Sequence, residues 1–441
     1  MTMFSLLQAA PQVTPMVHVS PPPSGMAWFL STLVKMLLTF TIYMIGVMYV
    51  IWLERRVCAW MQDRLGPNRV GYQGLLQSVA DGVKNIMKEE TYPGQAYLPL
   101  FVLAPVLSFI PALLTWAVIP YGATWDSPWG SIDMALAPMP VGFLYILAIS
   151  SLGVYGIVLA GWASNNKYSL LGGLRSSAQM ISYEIAMGMS TIPVLILAGN
   201  VSLSKIVEQQ ASSGGGLHWN VINLTVAFFV FIVAAFAETN RNPFDLPEAE
   251  SELIAGYHSE YSAMKFSMFF IAEYANIMTA SALMATLFFG GWDIPFTQWD
   301  NAAPHTLIKT LLTFGFFWLK ILLFVFVFIW VRWTLPRFRY DQLMALGWKF
   351  MLPIALTYIV VVAGVALGLQ YSGIYPESWK FAVTMLVVNI VLMGLIVGVL
   401  DRGRLISPAY SRLERRDLDK LRQARYNRAR LEPALTEGGA D

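Results

Sequence analysis

Residues 28–53 read WFLSTLVKMLLTFTIYMIGVMYVIWL, with Lys35 the only charged side chain in the run. Wound as an α-helix, a stretch of that length rises ~39 Å, more than the ~30 Å hydrocarbon core of a bilayer. Glu54, Arg55 and Arg56 follow at once and mark the return of the chain to water. The pattern recurs along all 441 residues. Nine runs are long and apolar enough to cross a membrane as helix: 28–53, 97–119, 138–163, 178–198, 221–237, 264–290, 306–331, 350–369 and 381–400. A composition of 56% hydrophobic and 13% charged residues is far too apolar for a soluble domain, which has to cover its surface with polar side chains. The expected fold is all-α and polytopic.

The charges set the orientation. Residues 1–27 hold no Lys or Arg, so they lack the basic start of a cleavable signal and read as a short external tail. With the N-terminus outside and nine spans, the inner loops and the C-terminal tail collect 24 of the 29 Lys and Arg residues, while the outer loops keep Lys205 and Lys380. Lys35, Lys309 and Lys320 stay within spans. This bias is what the positive-inside rule requires. One cysteine, Cys58, and four scattered histidines offer no metal-ligand spacing and no cluster site within the chain alone. The sequence has no phosphate-binding loop, no dinucleotide fingerprint and no zincin motif. Any redox or nucleotide chemistry therefore belongs to partners.

The outer connections read as linkers, whereas the inner ones are built of different material. Gly66-Pro67-Asn68 breaks the first helix, and residues 74–89 then place Leu75, Leu76, Val79, Val83, Ile86 and Met87 at helical spacing, opposite Gln77, Asp81, Lys84 and Lys88. That amphipathic pattern predicts a helix lying on the membrane surface. After the fifth span comes an acidic loop from Glu238 through Arg241, Asp245, Glu248, Glu250 and Glu252 to Glu260, and the sixth span carries Glu273. Pro243 and Pro247 stop the preceding helix, and Asp245 with Glu248 has the spacing of a capping box, predicting a short helix there.

An ionisable group in mid-membrane costs at least ~2.5 kcal/mol, so it implies a cavity or a partner. Glu184 and Glu273 meet that test, whereas for Lys35 and Lys320 snorkelling is the alternative to a role. A structural hydrogen bond to a neighbouring helix is the alternative for each acid. Two carboxylates ~4 Å apart repel by ~4 kcal/mol at an effective dielectric near 20, roughly three pKa units. Acids sharing one cavity therefore hold protons near neutral pH and exchange them when a nearby charge changes, as a proton relay needs. Tyr257, Tyr261 and Tyr274 suit either an aromatic passage or the membrane interface.

Several segments together carry a family resemblance. They are Glu54-Arg-Arg56, Gln62-Asp-Arg-Leu-Gly-Pro-Asn-Arg-Val-Gly71, Gly161-Trp-Ala-Ser-Asn165, Ala178-Gln-Met-Ile-Ser-Tyr-Glu184, the acidic loop, Ala272-Glu-Tyr274, and Arg337-Phe-Arg-Tyr-Asp-Gln-Leu-Met344. From the first span to the eighth they resemble the H-type membrane subunit of bacterial respiratory complex I (NADH-quinone oxidoreductase), the counterpart of mitochondrial subunit 1. The resemblance implies the heel of the membrane arm, where the peripheral arm docks and a quinone, ubiquinone or menaquinone, enters a tunnel. By that likeness Arg55, Arg64 and Asp81 line or shape the quinone passage. Glu184, Glu238, Glu248, Glu250, Glu252, Glu260 and Glu273 form a path relaying quinone reduction to proton-pumping subunits, and Arg56, Asn68, Arg69, Arg241, Asp245, Arg337, Arg339 and Asp341 lie on loops facing the peripheral arm.

NAD, FMN and iron–sulfur clusters are expected only in partner subunits, and the partners are the other membrane-arm subunits, the quinone-site subunits of the peripheral arm and membrane lipids, with no metal and no nucleic acid. The location implied is the bacterial plasma (inner) membrane, with the functional loops cytoplasmic. The chain divides into the tail 1–27, an eight-span core 28–370, an extra span 371–400 and a basic tail 401–441. Two rivals stay open: an anchor subunit of a membrane-bound hydrogenase, which the full Glu54–Gly71 and Arg337–Met344 motifs disfavour, and an independent proton-coupled transporter, for which no inverted repeat is visible.

Overall fold

The computed structural model describes residues 23–211, 218–245, 255–297, 299–301, 304–376, 378–401, 420 and 423. The predicted short helix after Asp245, with Glu248, Glu250 and Glu252, lies outside the described residues. The chain falls into two compact units, residues 1–389 and 390–441. The first holds the bundle; of the second, residues 390–401 complete the last helix.

The first helix, α1, runs Met26–Met61. Its 36 residues rise ~54 Å, so the helix overshoots the hydrocarbon and carries Glu54, Arg55 and Arg56 past its edge without a break. The loop after it doubles back onto α1: Arg56 Nη2 donates to the Gln73 carbonyl at 2.5 Å. Gly74 makes that return possible. It adopts φ +76°, and a Cβ there would stand 2.2 Å from the Pro67 carbonyl oxygen, so no other residue fits. The amphipathic helix α2 follows, Gln77–Met87, tied to α1 by Ser78 Oγ donating to the Met48 carbonyl at 3.0 Å. Its apolar residues Val79, Val83, Ile86 and Met87 remain exposed on the chain, as a face that lies on lipid requires.

Then come α3 (Leu98–Leu114), extended by a 3₁₀ turn (Thr115–Val118), the hairpin strands β1 (Trp125–Ser127) and β2 (Gly130–Ile132), α4 (Gly142–Ala163) and α5 (Lys167–Ala198). The strands pair antiparallel, Asp126 opposite Ser131. The short outer helix α6 (Leu203–Ala211) precedes α7 (Asn220–Asn223) and α8 (Thr225–Glu238). The last helices are α9 (Ala263–Phe288), α10 (Leu307–Thr334), α11 (Tyr340–Leu346), a π-helical turn (Gly347–Met351), α12 (Leu352–Tyr371) and α13 (Trp379–Asp401).

Among the described residues eight helices are long and apolar enough to cross a membrane, so the chain is a polytopic helical membrane protein. The fifth expected span, 221–237, is realised differently. Leu224 leaves helical geometry at φ −134°, ψ 45°, which cuts off α7 and leaves α8 with 14 residues, ~21 Å long. α9 is the central helix, with 72% of its apolar window buried. It packs chiefly against α3 and α10, and its Phe269 joins Phe101, Ile157, Met180, Tyr257 and Tyr261 in one apolar cluster, where Tyr261 stacks on Phe101 at 4.1 Å and Tyr257 is 1% exposed. Tyr257 and Tyr261 thus belong to the protein interior and not to a lipid interface.

Candidate functional site

Four charged side chains meet where α1, α9, α10 and the loop after α8 converge. Glu54, 6% exposed, is held near the end of α1 and accepts from Tyr274 Oη of α9 at 2.6 Å. Arg332, in the last turn of α10, pairs directly with its other oxygen. Arg241 lies between two acids, its nitrogens 3.9 Å from Glu54 and 3.8 Å from Glu273, with its guanidinium 4.2 Å from the centre of the Tyr274 ring. Tyr257 Oη stands 3.4 Å from Glu273. Two arginines face two glutamates, so the cluster is neutral when all four are ionised. That balance is what permits Arg241 to be 4% exposed, since an unpaired buried charge is prohibitively costly.

The loop that delivers Arg241 is fixed from three sides. Gln179 Nε2 of α5, fully buried, donates to the Ala237 and Phe244 carbonyls at 2.8 Å each. Asn242 Nδ2 donates to the Arg332 carbonyl at 3.0 Å, so the same loop holds both arginines. Arg337 pairs with Asp245 at 3.2 Å. The sequence puts Arg241 on a loop facing the peripheral arm; the fold turns its side chain inward.

Beside this cluster, and sharing Glu54, Tyr274 and Arg332 with it, is a cavity of about 560 Å³. Glu54, Arg55, Arg64 and Arg332 supply its polar wall, and Ile51, Leu65, Phe270 and Trp333 its apolar one. Arg55 makes an ion pair of 2.5 Å with Asp81 on α2. For Asp81, burial raises the carboxyl pKa, but the hydrogen bond and charge of Arg55, with Gln77 and Lys84, outweigh it and hold the group below its ordinary value. The structure therefore joins Arg55, Arg64 and Asp81 to one cavity, Arg55 and Arg64 as lining and Asp81 through Arg55.

The remaining acids extend inward from Glu273. On α9, Glu273, Asn276 and Ala280 share a helical face, and Asn276 and Ala280 line a small cavity of about 50 Å³ together with Glu238, Thr239 and Ser150, with Ile146, Met180 and Leu283 among its apolar walls, a space with room for water. Ser150 Oγ reaches Glu184 of α5 at 3.5 Å, and Ser151 makes a short hydrogen bond to the same oxygen. Glu238 is near enough to Glu184 for the two charges to interact. Glu260 stands apart, accepting from Asn166 Nδ2 at 2.7 Å. Of the loop residues, Asn68, Arg69, Arg337, Arg339 and Asp341 are exposed, while Arg56 and Asp245 are partly buried. Glu54 and Arg332 are site residues to which the sequence alone assigns no role, and Tyr274, which it leaves between an aromatic passage and the membrane interface, bonds Glu54. Their separations, 220 residues from Glu54 to Tyr274 and 278 from Glu54 to Arg332, put the pairing beyond any local pattern. One signal does exist: Arg332 breaks an otherwise apolar helix end.

Helices of membrane length, a balanced buried charge cluster and an amphipathic cavity beside it define a helical membrane subunit that handles charge at one end of its bundle. The chain belongs to the NADH dehydrogenase family, whose profile matches residues 34–363, and within it to the H subunits of NADH-quinone oxidoreductase, complex I. It is 50% identical to the NADH-quinone oxidoreductase H subunit numbered 1 in Cytophaga hutchinsonii over 322 residues, 73% of this chain and 92% of that one. It is 48% identical to the H subunit of Leptospira biflexa over 356 residues, 78% and 96% of the two chains. The likeness to the H subunit of Flavobacterium johnsoniae is 46% over 343 residues, 77% and 96%. The protein is accordingly a membrane subunit of an oxidoreductase complex, with other complex I subunits as its partners.

Proposed function

We propose that this subunit binds the quinone and converts its reduction into proton movement, with Arg241 as the moving charge between the quinone cavity and the acid path. The observation that carries the reading is the shared membership of Glu54: it lines the 560 Å³ cavity and also pairs with the arginine that faces Glu273. The cavity suits a quinone headgroup, because a ring with two acceptor oxygens needs N–H donors on one side and apolar contact on the other, and Arg55, Arg64, Ile51, Leu65 and Phe270 provide both.

Reduction of a quinone to a quinol takes two electrons and two protons, the electrons arriving from flavin and iron–sulfur centres in partner subunits. Negative charge arising in the cavity draws the guanidiniums toward it. Arg332 touches Glu54 directly, but Arg241 is nearly equidistant from Glu54 and Glu273, so a small shift changes which acid it neutralises. Glu273, once less compensated, takes up a proton. The path continues along the α9 face to Glu238 and Glu184, and the reading assigns to it the further acids Glu248, Glu250 and Glu252 and, bonded to Asn166, Glu260. The N-terminus is outside and the C-terminus in the cytoplasm of a bacterial plasma membrane, a reading supported by the loop charges. Asn68, Arg69, Arg337, Arg339 and Asp341 face the peripheral arm. Ubiquinone and menaquinone both fit the chemistry of the cavity.

Glu184→Gln in the native membrane tests the path. The reading expects quinone reduction with impaired proton pumping in an assembled complex; normal pumping would remove Glu184 from it.

A further inference from the structure

A second and larger cavity, about 740 Å³, lies at the other end of α1, between the N-terminal halves of α1 and α10 and capped by the β1–β2 hairpin. Its walls are apolar on both helices, and Val34, Leu38 and Leu311 are 52%, 57% and 60% exposed. Among the described residues one charged side chain lines it. Lys35 turns its amine toward the segment after the hairpin and donates to the Asp133 and Ala135 carbonyls at 3.1 and 3.3 Å, which leaves one of three N–H groups for another acceptor. We propose that this groove holds one phospholipid, its phosphate on Lys35 and an acyl chain running between α1 and α10 toward mid-membrane.

Three observations select a lipid over a partner helix. The groove is graded: its hairpin end presents Lys35, Trp125 and Trp129, the residue types that settle at headgroup depth, and its far end presents Ile42 beside the rings of Trp116, Phe314 and Trp318. A phospholipid is graded in the same direction, whereas a spanning helix is apolar throughout this depth. The length also matches. From Leu30 to Ile42 α1 rises ~18 Å, close to the ~15 Å of one leaflet. Finally, a lysine in such a wall attracts an anionic headgroup, a contact that an apolar helix does not replace.

The test uses the intact complex, reconstituted with phosphatidylglycerol that carries a photoactivatable diazirine near the chain end. After illumination and digestion, mass spectrometry should find label on the α1 and α10 segments around Ile42 and Trp318 well above that on Val360 of α12, which is 72% exposed outside the groove. Val34→Trp, which fills the groove, should abolish the excess, and Leu311→Trp does the same from the opposite wall if the first variant fails to assemble. Lys35→Gln should cut labelling by phosphatidylglycerol about fivefold, since one lysine near an anionic headgroup is worth ~1 kcal/mol, and should leave labelling by phosphatidylcholine bearing the same diazirine less affected. Labelling no greater than at Val360 would overturn the proposal and assign the groove to bulk lipid or to a neighbouring protein. Labelling that survives both tryptophan variants would overturn it equally.

Discussion

Glu54→Gln is the most informative single change, because glutamine keeps the shape of Glu54 and one of its two acceptor oxygens, which can still serve Tyr274 or Arg332, and removes the charge. In the wild-type protein Glu54 and Glu273 balance Arg241 and Arg332. After the change two guanidiniums share one carboxylate. Arg241 sits 3.9 Å from Glu54, where an ion pair is worth ~4 kcal/mol at an effective dielectric near 20, and leaving one partner of a buried pair uncompensated costs ~3–5 kcal/mol. Arg332 is 28% exposed at its side chain, so water relieves part of its share and the lower figure applies. A loss of ~3 kcal/mol depletes the native arrangement of Arg241 by roughly a hundredfold; relaxation of Glu273 toward Arg241 recovers some of that. Membranes carrying Glu54→Gln should therefore reduce quinone with NADH at least ~10-fold more slowly, while NADH oxidation by a soluble acceptor that bypasses the quinone site stays normal and the complex assembles. Glu54→Asp should fall between. A Glu54→Gln rate within about twofold of wild type, corresponding to only ~0.4 kcal/mol, would refute the reasoning.

Other expectations follow from the same geometry. Arg241→Lys should be almost as damaging as Arg241→Gln, because a compact ammonium does not span two carboxylates or stack on Tyr274 as a planar guanidinium does; quinone-linked pumping in the two variants compares them. Gly74→Ala places a Cβ 2.2 Å from a backbone oxygen in a left-handed turn and should loosen the 62–76 loop, raising the apparent KM for quinone more than it lowers kcat. Ser151→Ala removes the short hydrogen bond to Glu184 and should weaken pumping less than Glu184→Gln does, with Ser151→Thr restoring it. The Arg55–Asp81 clamp has a pH signature. Because the folded-state pKa of Asp81 is depressed below its ordinary value, its stabilisation is fully present above the unfolded-state pKa and is lost as pH falls through the folded pKa. Hydrogen exchange of α2 should thus be insensitive to the clamp's protonation across neutral pH and rise only under acid, whereas Asp81→Asn should show fast exchange throughout.

The spans are legible because nothing but lipid tolerates twenty apolar residues in a row, and the surface helix α2 because its apolar positions recur with helical period. Where hydropathy misplaces an element, polar or irregular residues intervene. α5 begins at Lys167 with Asn166 as its cap, eleven residues before the apolar window, since Gly172, Gly173, Arg175 and Ser176 dilute its first turns. The fifth span is short because Leu224 interrupts it. For the site, isolated intramembrane acids such as Glu273 stand out in sequence at once. Glu54 does not, since a glutamate next to two arginines at a helix end reads as interfacial charge until tertiary packing buries it under Tyr274 and Arg332. Arg241 misleads for the complementary reason: a polar loop rich in Asn, Pro and Asp looks solvated, and only Gln179 and Asn242 turning it inward make its arginine part of the core.

If charge in the quinone cavity is felt by Glu273 through Arg241, reduction of the quinone must change the protonation or hydrogen bonding of that carboxyl. Infrared difference spectroscopy of the intact complex, recorded between the quinone-oxidised and quinone-reduced states, observes that event directly. The expected result is a carboxyl stretching change in the wild-type protein that disappears in Glu273→Gln and is diminished in Arg241→Gln. Identical difference spectra in all three proteins would contradict the coupling.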